Sequence, residues 1–103
     1  MRLEHYSETK LKKEILEILG KRLDLKKYKI FFFGSRVSGL GNERSDIDIG
    51  IEGPEKALDL AWLDIQEEIE NFPSLYKIEL VDFKRVTPIF KEVALQNIEL
   101  ISQ

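Results

Sequence analysis

The chain has no cysteine, which excludes disulfide frameworks, zinc–thiolate centres and thiol nucleophiles. Histidine is almost absent too. The single one, His5, lies near the N-terminus, where fraying is expected, so it is set aside as a catalytic group. There are only three prolines, and no stretch is rich in Gly, Pro or Ser. No linker, repeat or low-complexity tract divides the chain, and residues 1–103 are expected to form one domain. Long apolar runs are missing: none approaches the ~18 residues of a membrane span. Residues 1–20 are charged rather than signal-like, which predicts no membrane partner and a cytoplasmic setting. A surplus of positive charge is also lacking, with 16 basic against 19 acidic side chains and a net charge of −3. That balance argues against direct binding of nucleic acid through bulk electrostatics, though not against a nucleotide held locally. What is present, 43% hydrophobic and 34% charged residues, suffices for the core of an ordinary globular domain.

Hydrophobic spacing predicts an amphipathic helix over 9–27, with Leu11, Ile15, Ile18, Leu19 and Leu23 on one face and a solvated face of lysines and Arg22. Lys29 to Phe33 reads as a strand ended by Gly34, followed by one or two helical turns over Ser35 to Leu40. Gly41-Asn42-Glu43 is a turn, and Asp46 to Glu52 a second strand. Gly53-Pro54 is expected to open a long helix whose stripe is Leu58, Ala61, Trp62, Ile65, Ile69 and Phe72, with Pro73 stopping it. Tyr76 to Phe83 follows as a third strand. Thr87 then caps a helix from Pro88 to about Gln96, Asn97 serves as its C-terminal cap, and Ile98 to Ile101 returns as a short strand. Trp62 and Phe31–Phe33 are assigned to the core.

The densest information lies between the first two strands: Gly34-Ser35, ten residues, then Asp46-Ile47-Asp48. Outward-pointing N–H groups in a turn at a helix start form an anion site. Two aspartates at i and i+2 of a strand share a face, so both can hold one hard divalent cation. Each element alone is ordinary: Gly-Ser is common turn chemistry, and Asp-x-Asp is frequent at strand ends. Together they are the minimum equipment for phosphoryl or nucleotidyl transfer. If both serve one site, the first two strands must run antiparallel, which predicts a mixed α/β sheet flanked by helices.

Strand parity sorts the remaining carboxylates. Ile47, Ile49 and Ile51 share one face, expected to meet helices, leaving Asp46, Asp48 and Gly50 on the open side. In the third strand Glu79 lies opposite Ile78 and Leu80, in phase with the aspartates. Asp82 shares the parity of the apolar residues and points corewards unless the strand has ended. Glu79 is therefore the first candidate for a third metal-side carboxylate and Asp82 the second. Arg36 is either a phosphate contact or a surface charge. Ser38 is assigned to solvent, Ser45 caps the turn or orients Asp46, and Gly39 lets the turn pass close to the strand.

The segment Phe33-Gly34-Ser35-Arg36-Val37-Ser38-Gly39, followed by Ser45-Asp46-Ile47-Asp48, resembles the minimal nucleotidyltransferase (MNT) family of the DNA polymerase β superfamily. The resemblance extends to Tyr76–Asp82, where Glu79 stands in place of the more usual aspartate, and Gln96-Asn97 replaces the usual glycine after the last helix. It implies the nucleotidyltransferase fold and two Mg²⁺ ions, or Mn²⁺, held by Asp46, Asp48 and Glu79, with Gly34, Ser35 and Arg36 at the nucleotide. It further implies an antitoxin that moves AMP from ATP to a tyrosine of a HEPN-domain toxin, within an oligomeric complex. Leu40 and Ile98 to Ile101 are candidate partner contacts. Larger transferases of the superfamily append an acceptor-binding domain for which this length leaves no room, so the acceptor is expected to bring its own surface. The alternatives are a non-catalytic antitoxin that masks its HEPN partner and a transferase for small molecules.

Overall fold

The computed structural model describes residues 7–38, 46–55, 59–72 and 76–102. Helix α1 spans Glu8–Gly20, its first turn capped by Ser7, whose hydroxyl accepts from the Lys10 N–H at 3.3 Å. Leu11, Ile15 and Leu19 form its buried stripe. It stops at Gly20, short of the expected 27. The Leu23 N–H still reaches the Leu19 carbonyl at 2.9 Å, and Asp24 Oδ1 accepts from Lys26 N at 3.0 Å. Those bonds turn the chain while Leu23 stays buried, so the apolar spacing continued where the helix did not.

Strand β1 is Lys29–Phe33, followed by the single turn α2, Ser35–Ser38. Strand β2 is Ile47–Glu52 and helix α3 is Asp59–Glu70. Strand β3 is Ile78–Asp82, helix α4 is Pro88–Ala94 and strand β4 is Glu99–Ser102. Pro54 does not open α3 within the described residues; it lies with Glu55 in a bend, where the Glu55 carbonyl accepts from the Tyr28 hydroxyl at 3.2 Å. Thr87 caps α4 as expected, its Oγ1 accepting from Phe90 N at 3.2 Å. The C-terminal cap is Leu95 rather than Asn97, because the Leu95 N–H already closes onto the Lys91 carbonyl. His5, Gly39, Leu40, the Gly41–Glu43 turn, Ser45, Leu58 and Pro73 lie outside the described residues.

The sheet order is β3-β2-β1-β4. Strand β1 runs antiparallel to both β2 and β4, while β2 and β3 are parallel across the α3 crossover. The mixed sheet with antiparallel first strands is thus the architecture found. One face carries Ile30, Phe32, Ile47, Ile49, Ile51 and Leu80 against Leu11, Ile15 and Leu19 of α1 and Ile65 and Ile69 of α3. Each such side chain fully removed from water contributes about 1.5–3 kcal/mol. Trp62 is half-buried at the edge of this core, beneath the Arg85 guanidinium at 5.6 Å. Arg22 Nη1 meets Glu68 Oε1 at 2.6 Å, fastening the end of α1 to α3. Among the described residues, no helix is long and apolar enough to cross a membrane.

The other face differs from expectation. It is not simply open, because α4 covers part of it over a second cluster of Phe31, Phe33 and Phe83, with Ala94, Leu95 and Ile98 packed around. Phe31 and Phe33 meet the Phe83 ring edge-on at 5.0 and 5.2 Å. Gly50 makes room for them: a Cβ there would sit 2.5 Å from Phe31 Cε2 and 2.7 Å from Phe83 Cε1.

Candidate active site

The strand registers bring three of the sequence-selected residues, Gly34, Asp48 and Glu79, to one place. In the β1–β2 ladder Phe33 lies opposite Asp48, so the residue after it, Gly34, begins its turn beside that carboxylate. Gly34 has φ +82°, in the left-handed region that favours glycine, and a Cβ at this position would collide with Asp48 Oδ2. The backbone turn and the acid are therefore in contact only because residue 34 has no side chain. In the parallel ladder Asp48 pairs with Glu79, on the face away from the isoleucines.

Electrostatically this is a crowded corner. The Asp48 carboxyl is pushed up from 3.8 to about 6, first by burial, then by the charges of Glu79 and Asp46 and by a hydrogen bond with Glu79. Asp46 is half-buried just before β2, and Glu79 is exposed, with Lys77 Nζ 3.9 Å from its Oε1. Clustered carboxylate oxygens of this kind suit a hard divalent cation such as Mg²⁺ or Mn²⁺. Among the described residues, no three such groups stand at metal-holding spacing; Asp48 and Glu79 touch, and Asp46 acts on Asp48 through its charge.

Asp82, the second candidate, turns the other way. Its side chain is fully buried, with Oδ1 accepting from Lys84 N at 2.9 Å and Oδ2 paired with Arg85 Nε at 3.3 Å. Arg85 Nη2 reaches on to Asp59 of α3 at 3.0 Å, so Asp82 anchors the end of β3. Ser35 opens α2, half-buried, where the Val37 N–H bonds the Gly34 carbonyl at 3.1 Å. The Arg36 guanidinium lies 4.8 Å from the centre of the Tyr76 ring, linking α2 to the segment that enters β3.

A cleft of about 600 Å³ opens from Gly34, Asp48 and Glu79 towards α4, where Phe90, Val93, Gln96 and Asn97 line it. Sequence reasoning did not place these residues, in α4 and just after it, at the site. Their signal was a short helix with Ile89, Phe90 and Val93 on more than one side, too many apolar positions for a single buried stripe; all three are exposed.

The chain belongs to the nucleotidyltransferase family described as "Polymerase beta, Nucleotidyltransferase", whose sequence model matches residues 13–103. Comparison with curated proteins gives no match. Among solved structures, it is similar to a chain of a toxin–antitoxin crystallised with AMP-PNP, with 19% identity, TM-score 0.68, and coverage of 87% of this chain and 71% of that one. A chain of a mutant MntA–HpeT toxin–antitoxin gives 16% identity, TM-score 0.68, and coverage of 87% and 70%. A chain from the tri-AMPylated Shewanella oneidensis HEPN toxin in complex with its MNT antitoxin gives 19% identity, TM-score 0.62, and coverage of 90% and 71%. At these identities the likeness is one of fold.

Proposed function

We propose that this chain is a Mg²⁺-dependent nucleotidyltransferase that moves AMP from ATP to a tyrosine hydroxyl of a HEPN-class toxin, and so acts as its antitoxin. The observation that carries the reading is the contact of the Gly34 turn with Asp48, itself hydrogen-bonded to Glu79, at the mouth of a nucleotide-sized cleft. Gly34 leaves space for close approach of a triphosphate, and Ser35 offers its N–H and hydroxyl to the phosphates. Asp46, Asp48 and Glu79 would hold the cations, whose chemistry when bound is to neutralise the triphosphate and acidify the attacking hydroxyl. Arg36, stacked on Tyr76, fixes the turn relative to β3 and stands near enough in sequence to meet a phosphate. In the reaction the acceptor oxygen bonds to the α-phosphorus, the bridge to the β-phosphate breaks, pyrophosphate leaves and the hydroxyl proton is released.

The partner assignment draws on the toxin–antitoxin complexes that share the fold. The half-buried Ile98 and Ile101 and the exposed Leu100 are offered as contacts of the complex. Intact mass of a co-expressed partner tests the whole reading. A gain of one or more AMP units, absent with Asp46→Asn, is the expected result. Full neutralisation of the toxin by Asp46→Asn, with no mass change in either case, overturns it in favour of an antitoxin that masks its partner.

A further inference from the structure

The α4 end of the cleft is chemically unlike its carboxylate end. Val81, Phe90 and Val93 give it an apolar wall, and Gln96 and Asn97 also line the cleft. Val93 is 62% exposed and Phe90 42% exposed, so apolar surface that could have joined the second cluster is left facing solvent. The Phe90 ring is nevertheless held in place, edge-on to Phe33 at 6.1 Å and tilted against Phe83 at 5.9 Å. A rigid aromatic and aliphatic wall with paired donor–acceptor groups is the surface that a flat heterocycle with a polar edge requires.

Position fits as well. Val81 is two residues along β3 from Glu79, a rise of about 7 Å at strand spacing. That step carries a ligand from the metal-side carboxylates to the apolar wall without leaving the cleft. For a triphosphate seated at Gly34, the cleft leaves room for the nucleoside towards α4. A side-chain amide presents a donor and an acceptor together, the pattern that matches the N6 and N7 edge of adenine and opposes the two acceptors of the same edge of guanine.

We infer that Phe90 and Val93 form the seat of the nucleotide base, and that Gln96 and Asn97 read its edge in favour of adenine. The inference rests on the nucleotide site proposed above and adds the group that selects the nucleotide. Gln96 and Asn97 are exposed, so replacing them leaves the core untouched.

The test compares binding of ATP, GTP and inorganic tripolyphosphate, each with Mg²⁺, to the full chain by calorimetry. Wild type should bind ATP more tightly than GTP or tripolyphosphate. Gln96→Ala and Asn97→Ala should each weaken ATP about tenfold, while tripolyphosphate affinity stays unchanged. Phe90→Ala should weaken ATP and GTP alike. ATP binding no tighter than tripolyphosphate in wild type overturns the base seat alone. Failure of a folded wild type to bind either ligand overturns the nucleotide site itself. Unchanged ATP affinity in all three variants, with loss of transfer to the partner, reassigns the wall to the acceptor and overturns the inference.

Discussion

Replacing Asp48 by asparagine should make the metal-free protein more stable while abolishing transfer. Asp48 is half-buried between Glu79 and the Gly34 turn, and its carboxyl titrates near 6 instead of 3.8. Between those values the native state binds more protons than the unfolded state, so wild-type stability falls as pH rises across that interval and is flat above it. At about 1.4 kcal/mol per pH unit, the interval is worth about 3 kcal/mol; water at the exposed half of the group screens this to about 1–2 kcal/mol. The asparagine side chain would carry no charge at any pH, and its amide can donate to Glu79. Near neutral pH with chelator, the unfolding midpoint of the variant should therefore rise by about 5–10 °C for a domain of this size. The advantage should fade in acid, below about pH 4, where Asp48 is protonated in both states. Mg²⁺ should raise the wild-type midpoint by mass action, and raise that of the variant less. Thermal melts of both proteins at two pH values, with chelator or Mg²⁺, decide the matter. A variant no more stable than wild type at neutral pH without metal refutes the proposed crowding of charge.

Glu79→Gln and Asp82→Asn should separate activity from stability. The first should remove most transfer with little change in melting, whereas the second should cost about 1–3 kcal/mol in denaturant unfolding, because the amide oxygen still accepts from Lys84 N but the buried pairing with Arg85 is lost; the reverse ordering would exchange their roles. Gly34→Val should eliminate measurable nucleotide binding by calorimetry, since its Cβ meets Asp48 Oδ2 and its backbone must hold a positive φ; Ser35→Ala, which keeps the N–H donor, should weaken binding several-fold at most. Gly50→Ala should destabilise by about 1–3 kcal/mol, because the methyl group overlaps the Phe31 and Phe83 rings; an unchanged chemical denaturation midpoint would show that the rings can yield.

Strand parity is local, and it located the carboxylates: Asp48 and Glu79 are neighbours, and Asp82 is buried on the opposite side. The antiparallel pairing followed from requiring the Gly34 turn and Asp48 to meet. The position of α4 was not legible because it depends on Phe31 and Phe33 of β1 meeting Phe83 just past β3, a strand not adjacent to β1 in the sheet. Part of that signal was nonetheless present. Ile30 to Phe33 is an unbroken apolar run, the mark of a strand covered on both faces, which already disagreed with an open carboxylate side. The overlong first helix has the opposite cause: Leu23 kept helical spacing but is buried by a turn.

Among the described residues, strand β3 lies at the margin of the sheet, with a ladder partner on one side only. Sliding it by one residue would present Ile78 or Leu80 to Asp48. Sliding it by two would keep the alternation and offer Val81 or Lys77, an inert group or a counter-charge. The bond from Phe83 N to the Ile51 carbonyl at 2.9 Å and the Asp82–Arg85–Asp59 link hold the strand against both displacements. Asp82 thus sets which side chain stands beside Asp48 while remaining out of reach of any substrate. Variation at positions 59, 82 and 85 is a route by which the chemistry could be tuned or silenced with every residue of the cleft unaltered.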